Sequence, residues 1–188
     1  ILSEKYSINS LELIKIANNH PRVNILQPGI GVGGHCIPVD PWFLVDKKNL
    51  STHLIRAARK VNDYKTEWVI KKINLYLKKN IKNIGFKPKI IFFGISFKPN
   101  VDDLRGSPAL KIIKRFQSKN YDTAIVDPNF YEYRINNSKK IDSLLAQANV
   151  IVTLVGHKEF LSKAFIKKLH KYHYKIIDFC NLLNLSKF

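Results

Sequence analysis

The stretch K-I-I-F-F-G-I-S-F-K-P-N-V-D-D-L-R-G-S-P-A-L, Lys89 to Leu110, decides the fold. Ile90 to Phe93 is a continuous apolar run closed by Gly94, the pattern of a strand buried on both faces of a parallel sheet. A polar loop follows. Ser107 is placed to cap the next helix, and Pro108 suits its first turn. Strand, loop and capped helix in that order begin an alternating β/α unit.

Further along the chain the alternation continues. Thr123 to Val126, Val150 to Val155 and Lys175 to Asp178 read as strands. Helical patterns at Ala109–Phe116, Ile141–Ala148 and Phe160–Leu169 lie between them. This alternation predicts an α/β fold with a parallel, Rossmann-like sheet. In such sheets ligands bind at the carboxyl ends of the strands. Lys98, Arg105 and the helix start at Ser107 fall at the end of the first strand and make a candidate anion site. A solvated loop, with ion pairing to Asp102 and Asp103, is the plain alternative. His157, at a strand-to-helix turn, reads as a polar loop residue.

Toward the N-terminus the pattern changes. Asn80 to Pro88 is polar and holds Gly85, so the expected boundary divides residues 1–84 from 85–188. From His53 to Asn80 the spacing of Leu54, Ala58, Val61, Trp68, Ile73 and Leu77 predicts one long helix with those residues on one broad face, for core or helix–helix interface. Residues 1–9 read as the tail of an earlier element. Asn9 caps a helix over Leu11, Ile14 and Ala17, with Glu12 completing a capping-box-like pair. His20-Pro21 ends it.

Between these helices lies Q-P-G-I-G-V-G-G-H-C-I-P-V-D-P-W-F-L, Gln27 to Leu44, with four of the eight glycines in six residues. Glycine lets a ligand approach the main chain closely. Exposed main-chain N–H groups near Cys36 would favour a thiolate and stabilise an oxyanion. A glycine-rich surface loop with a structural cysteine is the alternative. A dinucleotide fingerprint is excluded, because Val23 to Leu26 is a short run and Pro38 and Pro41 prevent a helix from starting at once. Trp42 to Val45 is expected to pack as core.

Composition narrows the class. The 188 residues carry a formal charge of +18, but only six of the 32 basic residues are Arg. Lysine spread evenly, with little arginine, argues against a base-reading nucleic-acid surface. No apolar run approaches the ~20 residues of a membrane span. Two distant cysteines suit a reducing cytoplasm. There is no methionine, not even at position 1, and the chain is expected to be a piece of a longer protein.

The segment His20 to Leu44, H-P-R-V-N-I-L-Q-P-G-I-G-V-G-G-H-C-I-P-V-D-P-W-F-L, closely resembles the catalytic-cysteine segment of the UDP-glucose/GDP-mannose dehydrogenases. Its G-G-H-C-I-P-V-D-P wording is most similar to the branch acting on UDP-N-acetyl-D-mannosamine. F-K-P-N-V-D-D-L-R-x-S-P-A-L, from Phe97, resembles the C-terminal signature of the same family, and R-A-A-R-K-V-N-D, Arg56 to Asp63, its central helix.

The resemblance implies a helical central region that dimerises, followed by a Rossmann-like UDP-binding domain. It implies oxidation of a UDP-N-acetylhexosamine to its uronate with two NAD+, for surface polysaccharide biosynthesis. Cys36 matches the nucleophile and Asp40 a nearby carboxylate. His20, Arg22, Gly33, Phe97 and Lys98 match substrate contacts, and Arg105 a cofactor contact. No metal ligands are implied, and Cys180 matches no nucleophile position. The family's N-terminal NAD domain and its catalytic lysine and asparagine have no counterpart here. Ile30 replaces a common proline and Gly106 a common glutamate. Asp178-Phe179-Cys180-Asn181 replaces a segment that carries a cation. A non-catalytic remnant that binds a UDP-sugar and dimerises is the second reading.

Overall fold

The computed structural model describes residues 1–45, 50–81, 87–135 and 138–183. The helices are α1 (Leu2–Lys5), α2 (Ser10–Ala17), α3 (His53–Asn80), α4 (Pro108–Gln117), α5 (Ser138–Gln147) and α6 (Lys163–His170). The strands are β1 (Lys89–Phe93), β2 (Asp122–Val126), β3 (Val150–Thr153) and β4 (Ile176–Asp178). All pair in parallel in the order β2-β1-β3-β4. The expected boundary at residue 84 lies outside the described residues.

Period-two alternation explains the continuous apolar run of β1. Ile90 and Phe92 face one layer with Val69, Ile73, Ile112 and Phe116 of α3 and α4. Ile91 and Phe93 face the other, with Leu145, Phe165 and Leu169 of α5 and α6. Both faces are covered, so both must be apolar. Each buried phenylalanine contributes about 1.5–3 kcal/mol. Phe92 packs on Phe116 at 5.8 Å between ring centroids, and Phe93 on Phe160 at 5.3 Å.

In α3 the stripe is split: Leu54 and Val61 are 81% and 64% exposed and Ala58 is exposed too, while Ile73 and Leu77 are buried. The buried series is Arg59, Thr66, Val69, Ile70, Ile73 and Leu77, most of it in the second half of the helix, which packs on the sheet layer. Two local expectations are corrected. Trp42 to Val45 is not core. Asp40–Leu44 forms a 3-10 turn with Phe43 83% and Leu44 68% exposed. The expected helix Phe160–Leu169 is interrupted at Ser162, whose extended backbone and hydroxyl cap α6 by accepting from the Phe165 N–H. A serine favours a cap over a helix interior because its hydroxyl competes for main-chain donors.

Candidate active site

The glycine loop and the loop after β1 are separated by some sixty residues in sequence, yet they meet main chain to main chain. Gly34 N–H donates to the Arg105 carbonyl at 3.1 Å. A Cβ on Gly33 would stand 2.6 Å from both the Gly106 oxygen and Pro108 Cδ. Only glycine permits that approach. Gly106 adopts φ +59°, and a Cβ there would stand 2.5 Å from the Gly34 oxygen. The glutamate that the resemblance places at 106 has no room in this arrangement. The ring of Phe97 closes the contact, 3.0 Å from the corresponding position on Gly34.

The long helix holds the loop from below. Asn62 of α3 accepts from the Val32 N–H at 2.7 Å and donates to the Val32 carbonyl at 3.0 Å. This side chain satisfies both main-chain groups of one residue, as a neighbouring strand would. Sequence reading assigned Asn62 no role. Ile30 is buried at 5% exposure beside α3 and β1. A groove of about 680 Å³ runs alongside, lined by Val32, Val39, Asn62, Thr66, Gly106 and Lys111. Arg59 also lines it, buried, with its Nε unpartnered among the described residues.

Cys36 is exposed on this loop. Its carbonyl accepts from the N–H groups of Val39 and Asp40, at 2.9 and 2.8 Å, so Asp40 lies one tight turn beyond it. Arg105 is clamped by Asp103, with Nη2 to Oδ2 at 2.7 Å and Nε to both carboxylate oxygens. These bonds hold Asp103 well below the usual carboxylate range, at about 2. They also raise Arg105, and the charge of a Cys36 thiolate adds to that effect. His35 Nδ1 lies 4.0 Å from Asp103. Lys98 lies with its ammonium 5.4 Å from the Phe97 ring centroid. The cap on α4 forms as the sequence predicts: Ser107 Oγ accepts from Leu110 N–H and donates to the Ile95 carbonyl.

Gly33, Cys36, Asp40, Phe97 and Arg105 are therefore brought together. His20 and Arg22 are exposed and tied to each other, the Arg22 N–H donating to His20 Nδ1 at 3.2 Å. Among the described residues no hydrogen bond joins them to the cluster. No group of three histidine, cysteine or carboxylate side chains among those residues could hold a metal. No helix there is long and apolar enough to cross a membrane.

Cys180 sits in a different setting. Burial pushes its thiol up to about 12, and the Asp178 carboxylate reinforces the shift. Asp178 itself closes the end of β4, accepting from Thr153 Oγ1, Cys180 N–H and Leu183 N–H. Cys36 is expected to react with iodoacetamide at pH values where Cys180 stays unmodified, until denaturant is added. Peptide mapping against time would show it; equal rates for the two thiols would contradict the assignment.

A parallel α/β sheet whose crevice receives a cysteine-bearing glycine loop defines a class. The chain belongs to the UDP-glucose/GDP-mannose dehydrogenase family: residues 91–185 match its UDP-binding domain and residues 1–64 its central domain. Among relatives, UDP-N-acetyl-D-mannosamine dehydrogenase of Campylobacter jejuni is 48% identical over 169 residues, covering 86% of this chain and 40% of the relative. A UDP-D-ManNAc dehydrogenase structure from Pyrococcus horikoshii superposes with a TM-score of 0.76 at 32% identity, over 96% of this chain and 42% of that one. The Staphylococcus aureus UDP-N-acetyl-mannosamine dehydrogenase gives 0.75 at 30% identity, over 97% and 42%. The chain thus spans about two fifths of the length of these proteins.

Proposed function

We propose that residues 1–188 are the central and C-terminal part of a nucleotide-sugar 6-dehydrogenase, divided near residue 84. Its substrate is UDP-N-acetyl-D-mannosamine and its product the corresponding uronate, made in the cytoplasm for surface polysaccharide. The observation that carries this reading is the docking of the Cys36 loop onto the Phe97–Ser107 segment through Gly33, Gly34 and Gly106. It brings Cys36 near Arg105 at the carboxyl end of β1, where a Rossmann-like sheet takes an anionic ligand.

Each residue then has a role. Cys36 attacks the C6 aldehyde as thiolate, holding the sugar as a thiohemiacetal and, after oxidation, as a thioester that water cleaves. Asp40 orients that water or takes its proton. Phe97 and Lys98 bind the UDP-sugar, Gly33 gives it main-chain access, and His20 and Arg22 contact it from the preceding loop. Arg105 faces the cofactor and steadies the thiolate. NAD accepts the two hydrides. The described residues offer no turn to hold it, because the glycine cluster leads into a 3-10 turn and not a helix. The exposed apolar positions on the first half of α3 support self-association as a homodimer.

Two measurements test this reading. NADH formation by the intact enzyme with UDP-N-acetyl-D-mannosamine should reach two per uronate; one per product, or none, would overturn it. Lys98→Ala should weaken UDP binding by roughly one to two decades, since a charge-assisted hydrogen bond is worth ~1.5–3 kcal/mol. Unchanged calorimetric affinity would remove Lys98 from the site. Retained UDP binding with no turnover of any UDP-N-acetylhexosamine by the intact protein would favour the non-catalytic reading.

A further inference from the structure

His157 is fully buried, at 0% exposure, four residues beyond β3. Sequence reading left it as a polar loop residue. Its Nδ1 lies 3.0 Å from the Asn100 main-chain nitrogen and 2.8 Å from Asn129 Nδ2. Its Nε2 lies 3.0 Å from Asp127 Oδ2 and 3.3 Å from Ser96 Oγ. A main-chain N–H can only donate, so Nδ1 must carry a lone pair. The proton of the neutral ring is therefore on Nε2 and is given to Asp127.

These contacts tie down a single loop. Ser96 Oγ donates to the Lys98 carbonyl at 2.8 Å. Asn100, in the left-handed region at φ 62°, accepts from the Lys158 N–H through Oδ1 at 2.8 Å. Asp127 anchors the base of the loop, accepting from the Ile95 N–H at 2.8 Å. Burial works to raise the Asp127 carboxyl, but bonds from His157 and from the Ile95 and Asn129 amides outweigh it and hold it below its ordinary value. The residues between these anchors are Phe97 and Lys98.

We propose that neutral His157 is a positioning residue: it latches the Ser96–Asn100 loop and so sets Phe97 and Lys98 for nucleotide binding. The proposal rests on the nucleotide-binding reading of that loop and adds the device that fixes it. An imidazolium cannot hold the latch, because a second proton on Nδ1 would face the Asn100 N–H. The latch therefore needs the neutral ring. Asp127 is the charged group facing the ring, from the turn after β2. Lys98 on the β1 loop, and Lys158 and Glu159 on the ring's own turn, are exposed. The test must isolate His157 from these neighbours.

Two substitutions do so in the intact protein. In His157→Asn the side-chain oxygen takes the position of Nδ1 and accepts the Asn100 N–H, with no proton to gain. His157→Leu removes the acceptor. Calorimetry with UDP at about pH 8 compares them with wild type. The leucine variant should bind about tenfold more weakly than wild type, the scale of one hydrogen bond, and the asparagine variant near wild type. Equal affinity of leucine variant and wild type, or an asparagine variant as weak as the leucine variant, would overturn the proposal. Nitrogen-15 spectra of the wild-type ring must show the Nε2–H tautomer at pH 8; an Nδ1–H ring would also overturn it, whatever the variants do. If wild type binds no UDP, the nucleotide reading fails. The tautomer and the exchange protection of the Asn100 amide then decide the latch separately.

Discussion

Cys36→Ser in the intact enzyme is expected to abolish uronate formation while leaving the fold and UDP binding in place. Cys36 is exposed and lies outside both core clusters, so replacing sulfur by oxygen should move stability by less than about 0.5 kcal/mol. The chemistry is another matter. A serine hydroxyl is a weak nucleophile without a base to activate it, and a thiolate is a strong one. Loss of a covalent nucleophile costs on the order of 10³-fold or more in turnover. Steady-state assay of the purified variant, with thermal melting and UDP calorimetry alongside, separates the two effects. Uronate formation within tenfold of wild type would mean that Cys36 is not the nucleophile.

Gly33→Ala should also be damaging, though less so, for a steric reason. The added Cβ would lie 2.6 Å from the Gly106 oxygen and from Pro108 Cδ. The first is main chain and the second is the ring at the start of α4, so neither can swing aside. The Cys36 loop must lift from the crevice. Overpacking of this kind costs about 1–3 kcal/mol, which corresponds to roughly one to two decades in kcat/KM if the docked loop is the active one. Gly29→Ala is the control: its backbone has no neighbour within 4 Å of a Cβ and no positive φ. Wild-type kinetics in the Gly33 variant, or equal losses in both, would show that docking of the loop is not required.

The sheet was legible because both of its faces are buried. Ile90 to Phe93 had to be apolar throughout, and the strand's end and the helix's start followed from Gly94, Ser107 and Pro108. The two motifs of the site were legible one at a time. Their meeting was not, because it rests on glycines whose lack of a side chain gives no sequence signal beyond their presence. Asn62 was hidden for a related reason: its partners are the main-chain groups of Val32, which any sequence would supply. The stripe on α3 was legible, but periodicity locates an apolar stripe without saying what covers it: Leu54, Ala58 and Val61 are exposed, whereas Ile73 and Leu77 share a core with α4. His157 was undervalued because its four partners come from two other turns, Ser96 and Asn100 after β1 and Asp127 and Asn129 after β2. A signal did exist, since Asp127 and His157 each follow a strand at its carboxyl end, where polar residues converge in this class of sheet.

The central claim is that Cys36, docked in the crevice of the UDP-binding sheet, carries the sugar through its oxidation. Acid-quenching the intact enzyme during turnover with NAD+ and UDP-N-acetyl-D-mannosamine, then digesting it and weighing the peptides, tests this directly. The peptide containing Cys36 should gain the mass of the acyl group of the nucleotide sugar, and the peptide containing Cys180 should not. Uronate produced with the Cys36 peptide unmodified at every quench time, or the adduct found on Cys180, would contradict the account.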